Sequence, residues 1–300
     1  MRFQDVCRQY GIRFKKQLGQ NLLLDENINR IMVDAADLSR RDDVVEVGAG
    51  LGALTEQLQR RAGRVLAVEI DRAFLPCLED RFGGLAHVKL FRGDILNHGL
   101  NELLEEYLPG GTSRKMVSNL PYYITTPILF HFWESQVFFS CMVVMVQEEV
   151  ALRMTAPVGG SAYGVLTLAA QLYADADIIH RVPRTCFRPR PEVDSCIVRL
   201  RNIEGSRYRD VDARFLMRLI RTAFSQRRKT LRNALTHSGA FGVPRKVVVA
   251  AAEAADIDLE RRAQTLGLEE YARMAREILA RLPSPAADVN PAALGALDNR

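Results

Sequence analysis

Long apolar runs, paired cysteines and histidine-based metal patterns are all missing from this 300-residue chain. No apolar stretch approaches the roughly 18 residues that a membrane-spanning helix needs. The first residues, Met1-Arg2-Phe3-Gln4-Asp5, carry no apolar core of a secretory leader, which predicts a cytoplasmic protein. The five cysteines (Cys7, Cys77, Cys141, Cys186 and Cys196) are odd in number and form no Cys-x-x-Cys pair. That usage predicts reduced thiols and argues against a disulfide framework or a zinc knuckle. His-x-Glu and His-Glu-x-x-His patterns are absent too, so no catalytic metal is expected.

Acidic residues are scarce in particular places. The formal net charge is +5, and residues 218–232 carry Arg218, Arg221, Arg227, Arg228, Lys229 and Arg232 without one Asp or Glu. Arg8, Arg13, Lys15 and Lys16 form a second acid-poor group, and Arg181, Arg184, Arg188 and Arg190 a third. One such run is commonly a solvated helix face. Three in one chain favour a surface that meets phosphates.

Hydrophobic periodicity alternates from about residue 27. Asn27 to Leu38 has helical spacing, Val44–Val47 reads as a strand, Ala53 to Arg61 as a helix, Arg64–Glu69 as a strand and Arg72 to Arg81 as a helix. Val88–Arg92, Met116–Ser118 and Ser140–Gln147 read as further strands, with Val165–Leu172 and Cys196–Leu200 as later strand candidates. The alternation predicts an α/β fold with a doubly wound, mostly parallel sheet covered on both faces. Strand patterns stop after about residue 205. Asp212–Phe224, Lys229–Ser238, Arg245–Ala254 and Leu268–Leu282 read as helices, which predicts domains at 1–205 and 206–282 and a disordered tail at 283–300.

Two short segments carry the chemistry. Glu46-Val47-Gly48-Ala49-Gly50-Leu51-Gly52 lies between a strand and a helix, where glycines let the backbone turn and approach a ligand. The loop fits a dinucleotide fingerprint with Glu69 as ribose clamp, and equally the first motif of S-adenosylmethionine-dependent methyltransferases. Asp94, at the end of the third strand, can accept from an adenine amino group and favours the second reading. Asn119-Leu120-Pro121-Tyr122 supplies an amide, a carbonyl whose following proline lacks N–H, and an aromatic ring. That set suits a planar base bearing an exocyclic amino group. A Pro turn with a tyrosine laid over the core is the plainer reading of the same four residues.

The whole pattern resembles a known family. Lys15-Lys16-Gln17-Leu18-Gly19-Gln20-Asn21-Leu22-Leu23-Leu24-Asp25, the Asn-Leu-Pro-Tyr run, Phe187-Arg188-Pro189-Arg190-Pro191-Glu192-Val193-Asp194-Ser195 and Arg227-Arg228-Lys229-Thr230-Leu231-Arg232-Asn233 occur in order. They are similar to motifs of the KsgA/RsmA family of ribosomal RNA adenine N6,N6-dimethyltransferases. Asn21-Leu22-Leu23 departs conservatively from the family's usual Asn-Phe-Leu. The resemblance implies a Rossmann-like S-adenosylmethionine-dependent methyltransferase domain with a seven-stranded sheet, and a smaller C-terminal all-α domain that binds RNA. It implies dimethylation of two adjacent adenosines near the 3′ end of 16S rRNA, within the small ribosomal subunit or its precursor, by a monomer. Cofactor contacts are expected from Gln20, Asn21, Leu23, Gly48, Gly50, Glu69, Ile70, Asp94, Ile95 and Asn119. Asn119, Leu120, Pro121, Tyr122 and Phe187 are expected at the target base, and Arg221, Arg227, Arg228, Lys229 and Arg232 at RNA. A 23S rRNA adenine methyltransferase of the antibiotic-resistance type shares the Asn-Leu-Pro-Tyr pattern, and a non-catalytic RNA-binding assembly factor would keep the fold.

Overall fold

The computed structural model describes residues 3–12, 20–23, 25–111, 113–135, 137–226, 228–236 and 241–282. The chain divides into two compact units, Met1–Arg209 and Asp210–Arg300. Sequence placed the division at 205/206. Residues 206–209 go with the first unit because Arg207 is tied there: its N–H donates to the Leu172 carbonyl, its guanidinium to the Gln171 carbonyl and to Asp175.

In the first unit, α1 (Phe3–Gln9) precedes a two-residue strand, β1 (Leu22–Leu23), and α2 (Glu26–Ala35). Asp25 caps α2, accepting from the Asn27 N–H at 2.9 Å. Then β2 (Asp42–Val47), α3 (Ala53–Arg61), β3 (Arg64–Glu69), α4 (Leu75–Phe82) and β4 (Val88–Arg92) alternate. After α5 (Leu100–Tyr107), β5 (Ser113–Asn119) leads into α6 (Thr125–Trp133), and β6 (Cys141–Gln147) into α7 (Glu148–Met154) and α8 (Val165–Tyr173). β7 (Ala174–Val182), β8 (Phe187–Arg188) and β9 (Ser195–Asn202) complete the unit.

Seven strands form one sheet in the order β4-β3-β2-β5-β6-β9-β7. Five run parallel through β4-β3-β2-β5-β6, and β9 is antiparallel to both β6 and β7. The connections from β2 go outward on one side to β3 and β4, then return to β5 on the other. That reversal opens a crevice between the C-terminal ends of β2 and β5, where open α/β sheets take ligands. The central strands are buried almost throughout, as the apolar runs Val44-Val45 and Met142–Val146 require of a sheet covered on both faces. Each fully buried Leu, Val or Met in this core stabilises the fold by about 1.5–3 kcal/mol.

One sequence expectation is corrected and one strand is added. Val165–Leu172 is a helix, not a strand: it is buried nearly all round, so its apolar residues show no period to separate the two. Its first turn is fixed by Thr167, whose hydroxyl accepts from the Gly164 N–H and donates to the Arg153 carbonyl. The edge strand β7, containing Asp175, Asp177, His180 and Arg181, went unread because half of it faces outward. The second unit holds α9 (Ala213–Phe224), α10 (Leu231–Thr236), α11 (Arg245–Ala254) and α12 (Leu268–Arg281). Asp212 caps α9 through the Phe215 N–H at 2.9 Å. The tail at 283–300 lies outside the described residues.

Candidate active site

The glycine loop and the Asn-Leu-Pro-Tyr run meet across the crevice. Gly48 sits at φ +81°, and a Cβ there would stand 3.5 Å from the Pro121 ring; at Gly50, φ +55°, it would come within 2.9 Å of Leu22. The Gly48 and Ala49 N–H groups both donate to the Val68 carbonyl, and the Val47 N–H to the Ser118 hydroxyl. The loop is thus tied to the ends of β3 and β5 on either side.

Glu69, 5% exposed at the end of β3, braces this loop from below. One carboxylate oxygen accepts from the Gly50 N–H at 2.8 Å and the other from the Asp71 N–H at 2.7 Å. Burial pushes its carboxyl up, and the Asp71 and Gly50 N–H groups act against that push. Asp71 is also buried and accepts from the Gln20 amide at 2.7 Å, which carries the segment before β1 to the cleft. Asp94 caps the short turn Ile95–Asn97 with Oδ1, accepting from the Leu96 N–H at 3.0 Å. Its Oδ2 accepts no hydrogen bond among the described residues.

At the end of β5, Asn119 donates its amide N–H to the Asn21 carbonyl at 3.4 Å, leaving Oδ1 as an acceptor. The Leu120 side chain is buried and its N–H donates to the Met145 carbonyl, while its own carbonyl accepts nothing among the described residues. Tyr122 lies on the turn Tyr122–Ile124, with its phenol oxygen 2.6 Å from the Ser195 hydroxyl. Burial pushes the Tyr122 phenol up, and the Ser195 bond pulls it down. Together these segments line a cleft of about 710 Å³, mouth included, with Ile70 and Ile95 on its apolar side.

A family model described as ribosomal RNA adenine dimethylase matches residues 11–278. The chain is 43% identical over 277 residues to ribosomal RNA small subunit methyltransferase A of Moorella thermoacetica, covering 91% of this chain and 95% of that one. The chain belongs to the ribosomal RNA adenine dimethylase family. A solved dimethyladenosine transferase of Plasmodium falciparum aligns with a TM-score of 0.73 and 27% identity, over 86% of this chain and 98% of that one. The 23S rRNA methyltransferase ErmE shares the fold, with a TM-score of 0.63 and 24% identity, over 86% of this chain and 99% of that one.

As a member of the dimethylase family the chain is an S-adenosylmethionine-dependent methyltransferase, and most of its expected site residues converge on this one cleft. Gln20, Asn21, Gly48, Gly50, Glu69, Ile70, Asp94, Ile95, Asn119, Leu120, Pro121 and Tyr122 all line it. Two do not. Leu23 is 8% exposed and packs in the core; it borders an adjoining cavity shared with Gly48 and Asn119, while Leu22 lines the cleft itself. Phe187 is fully buried in the same core and does not line the cleft, so its ring is not available to stack on a base in this structure. The cause is a pairing of β1 with β8 that sets Leu23 opposite Phe187. Sequence reasoning missed Tyr123, which is half exposed at the cleft; the doubled aromatic in Pro121-Tyr122-Tyr123 was the available signal.

Of the basic residues expected to meet RNA, Arg221, Arg228 and Lys229 are exposed on the second unit. Arg232 forms an ion pair with Glu260 at 2.6 Å, and Arg227 lies outside the described residues.

Below the loop, Glu46 is 1% exposed and accepts from the Thr55 hydroxyl at 2.5 Å. Burial, reinforced by the Glu69 charge, pushes its carboxyl up to about 8, with the Thr55 bond opposing. The folded chain therefore keeps a proton that the unfolded chain releases near the ordinary value of 4.5. Stability from this group falls as pH rises from about 4.5 to about 8. Urea titrations across that range should show Glu46→Gln gaining on the wild type at each step upward. Parallel pH profiles for the two proteins would disprove the assignment.

Proposed function

We propose that this chain transfers methyl groups to N6 of two adjacent adenosines near the 3′ end of small-subunit rRNA, in the cytoplasm and as a monomer. The observation that carries the reading is that Asn119 and Leu120 line one cleft, with the Asn119 side-chain N–H donating to the Asn21 carbonyl and Oδ1 left as an acceptor. Two acceptors side by side suit an exocyclic amino group with two protons. The sequence similarity to a ribosomal RNA small subunit methyltransferase A supports the choice of rRNA.

The residues present fit S-adenosylmethionine. Gly48 and Gly50 take positive φ where the loop packs against Pro121 and Leu22, Asp94 Oδ2 accepts no hydrogen bond among the described residues and could take an adenine amino group, and the Glu69 carboxylate on the same cleft would hold a ribose hydroxyl. When bound, that cofactor supplies an electrophilic methyl group. The chain's task is to present the nucleophile. Adenine N6 is a poor one, because its lone pair is delocalised into the ring. Hydrogen bonds from its two N–H groups to Asn119 Oδ1 and the Leu120 carbonyl would orient the amino group and favour pyramidal character as positive charge develops. Tyr122 offers a face to the ring, worth about 1–3 kcal/mol. No side chain is needed as a general base: once alkylated, N6 is acidic enough to release its proton to water. Positioning therefore supplies most of the rate.

Labelled S-adenosylmethionine offered to free small subunits, naked rRNA and large subunits tests the reading. Two adjacent dimethyladenosines in small-subunit rRNA are the expected product, and label confined to large subunits would overturn it. Arg228 and Lys229 should grip phosphates. The double reversal Arg228→Glu/Lys229→Glu is expected to weaken rRNA binding and flatten the log–log salt slope by about 1.5–2. An unchanged slope would remove these two residues from the interface.

A further inference from the structure

We propose that Ser195 is a positioning residue for the base pocket: its hydroxyl fixes the Tyr122 ring against which the target adenine is placed. The inference rests on the reading above and deepens it. Ser195 closes the Phe-x-Pro-x-Pro-x-Val-x-Ser segment and is the one position of that motif whose side chain bonds to a residue lining the cleft, among the hydrogen bonds described. The Phe187 ring at the other end of the motif is in the core.

The two partners of the bond differ in how firmly they are held. Ser195 is fully buried and opens β9, with Gln147 of β6 opposite on one side and Val182 of β7 on the other. Its neighbour Asp194 is clamped twice, its carbonyl accepting from the Glu148 N–H at 3.0 Å and its carboxylate from the Arg184 N–H at 3.0 Å. Tyr122 instead sits on a three-residue turn without a side-chain cap. The phenol oxygen is the ring's one polar handle, and Ser195 Oγ is 2.6 Å from it. A bond from a rigid sheet to a side chain on a turn orients the turn's side chain. The alternative, two buried hydroxyls satisfying each other with no bearing on the reaction, predicts a stability loss and nothing more.

The same bond gives the site a link to the surface. The six residues before Ser195 leave β8 as an exposed loop bearing Arg190, next to the exposed Arg188. Phosphate contacts made there would bear on the strand that holds the Tyr122 ring.

The test is a double-mutant cycle of Ser195→Ala and Tyr122→Phe, read by single-turnover methylation of small subunits at saturating S-adenosylmethionine. Each single variant is expected to be slower by about tenfold. The double variant should be no slower than the worse single one, and cofactor affinity should stay within about twofold in all three. Tyrosine labelled at Cζ supplies a readout without RNA: loss of the Ser195 hydroxyl should move the Tyr122 resonance and raise the titration of its phenol further. An unchanged Ser195→Ala rate, multiplicative losses in the double variant, or an unmoved Tyr122 resonance would each overturn the inference. A wild-type enzyme that labels no rRNA would overturn the reading beneath it as well, which separates the two failures.

Discussion

Asn119→Ala is expected to slow single-turnover methylation by about 100-fold or more while weakening cofactor binding by less than about tenfold. The reason is that Asn119 acts on charge that develops late. Its amide oxygen accepts a proton of the amino group most strongly when N6 becomes pyramidal and positive, so the lost interaction is larger in the transition state than in the ground state. The Asn21 carbonyl sets the amide's direction at 3.4 Å, which predicts a graded series. Asn119→Asp keeps two acceptors but loses the donor that faces Asn21, and the two oxygens would repel there. It should fall between the wild type and Asn119→Ala in rate. Burst kinetics with labelled cofactor, together with calorimetric titration of the cofactor, separate the two effects. A loss confined to cofactor affinity would show that Asn119 belongs to cofactor binding alone.

Glu69→Ala should be the more damaging substitution for binding, costing about 100-fold or more in cofactor affinity and lowering the melting temperature as well. Both carboxylate oxygens already accept backbone N–H groups, from Gly50 and from Asp71, in a place with almost no access to water. Removing the carboxylate leaves two buried donors unsatisfied, at about 1–3 kcal/mol each. It also frees the glycine loop from the end of β3. Glu69→Gln should be milder, since its amide oxygen can still serve one of the two N–H groups while its NH₂ faces the other. Titration with S-adenosylmethionine and thermal melts check both expectations. Full cofactor affinity in Glu69→Ala would remove the carboxylate from the site.

Much of the cleft was legible because its signals are local. Strand, glycine turn and helix follow one another within the 18 residues 44–61, and each piece needs only its own neighbours to be recognised. Ala53–Arg61, Arg64–Glu69, Val88–Arg92 and Arg245–Ala254 coincide with elements of the structure residue for residue. The same locality explains the failures. Val165–Leu172 is apolar without a period, and nothing in a window of eight residues separates a buried helix from a buried strand.

By itself, the sequence determined the alternating α/β order, the helical C-terminal region, and the residue types gathered at the ends of β2, β3, β4 and β5. Those depend on short-range backbone preferences and on which side chains avoid water. Only the tertiary structure decided which motif residues face the cleft. Leu23 and Phe187 stand 164 positions apart, and their antiparallel pairing turns both side chains into the core. Tyr122 and Ser195 stand 73 apart, and the register of β9 beside β6 and β7 brings their hydroxyls together. A strand shifted by one residue presents its other face, so such assignments rest on long-range register.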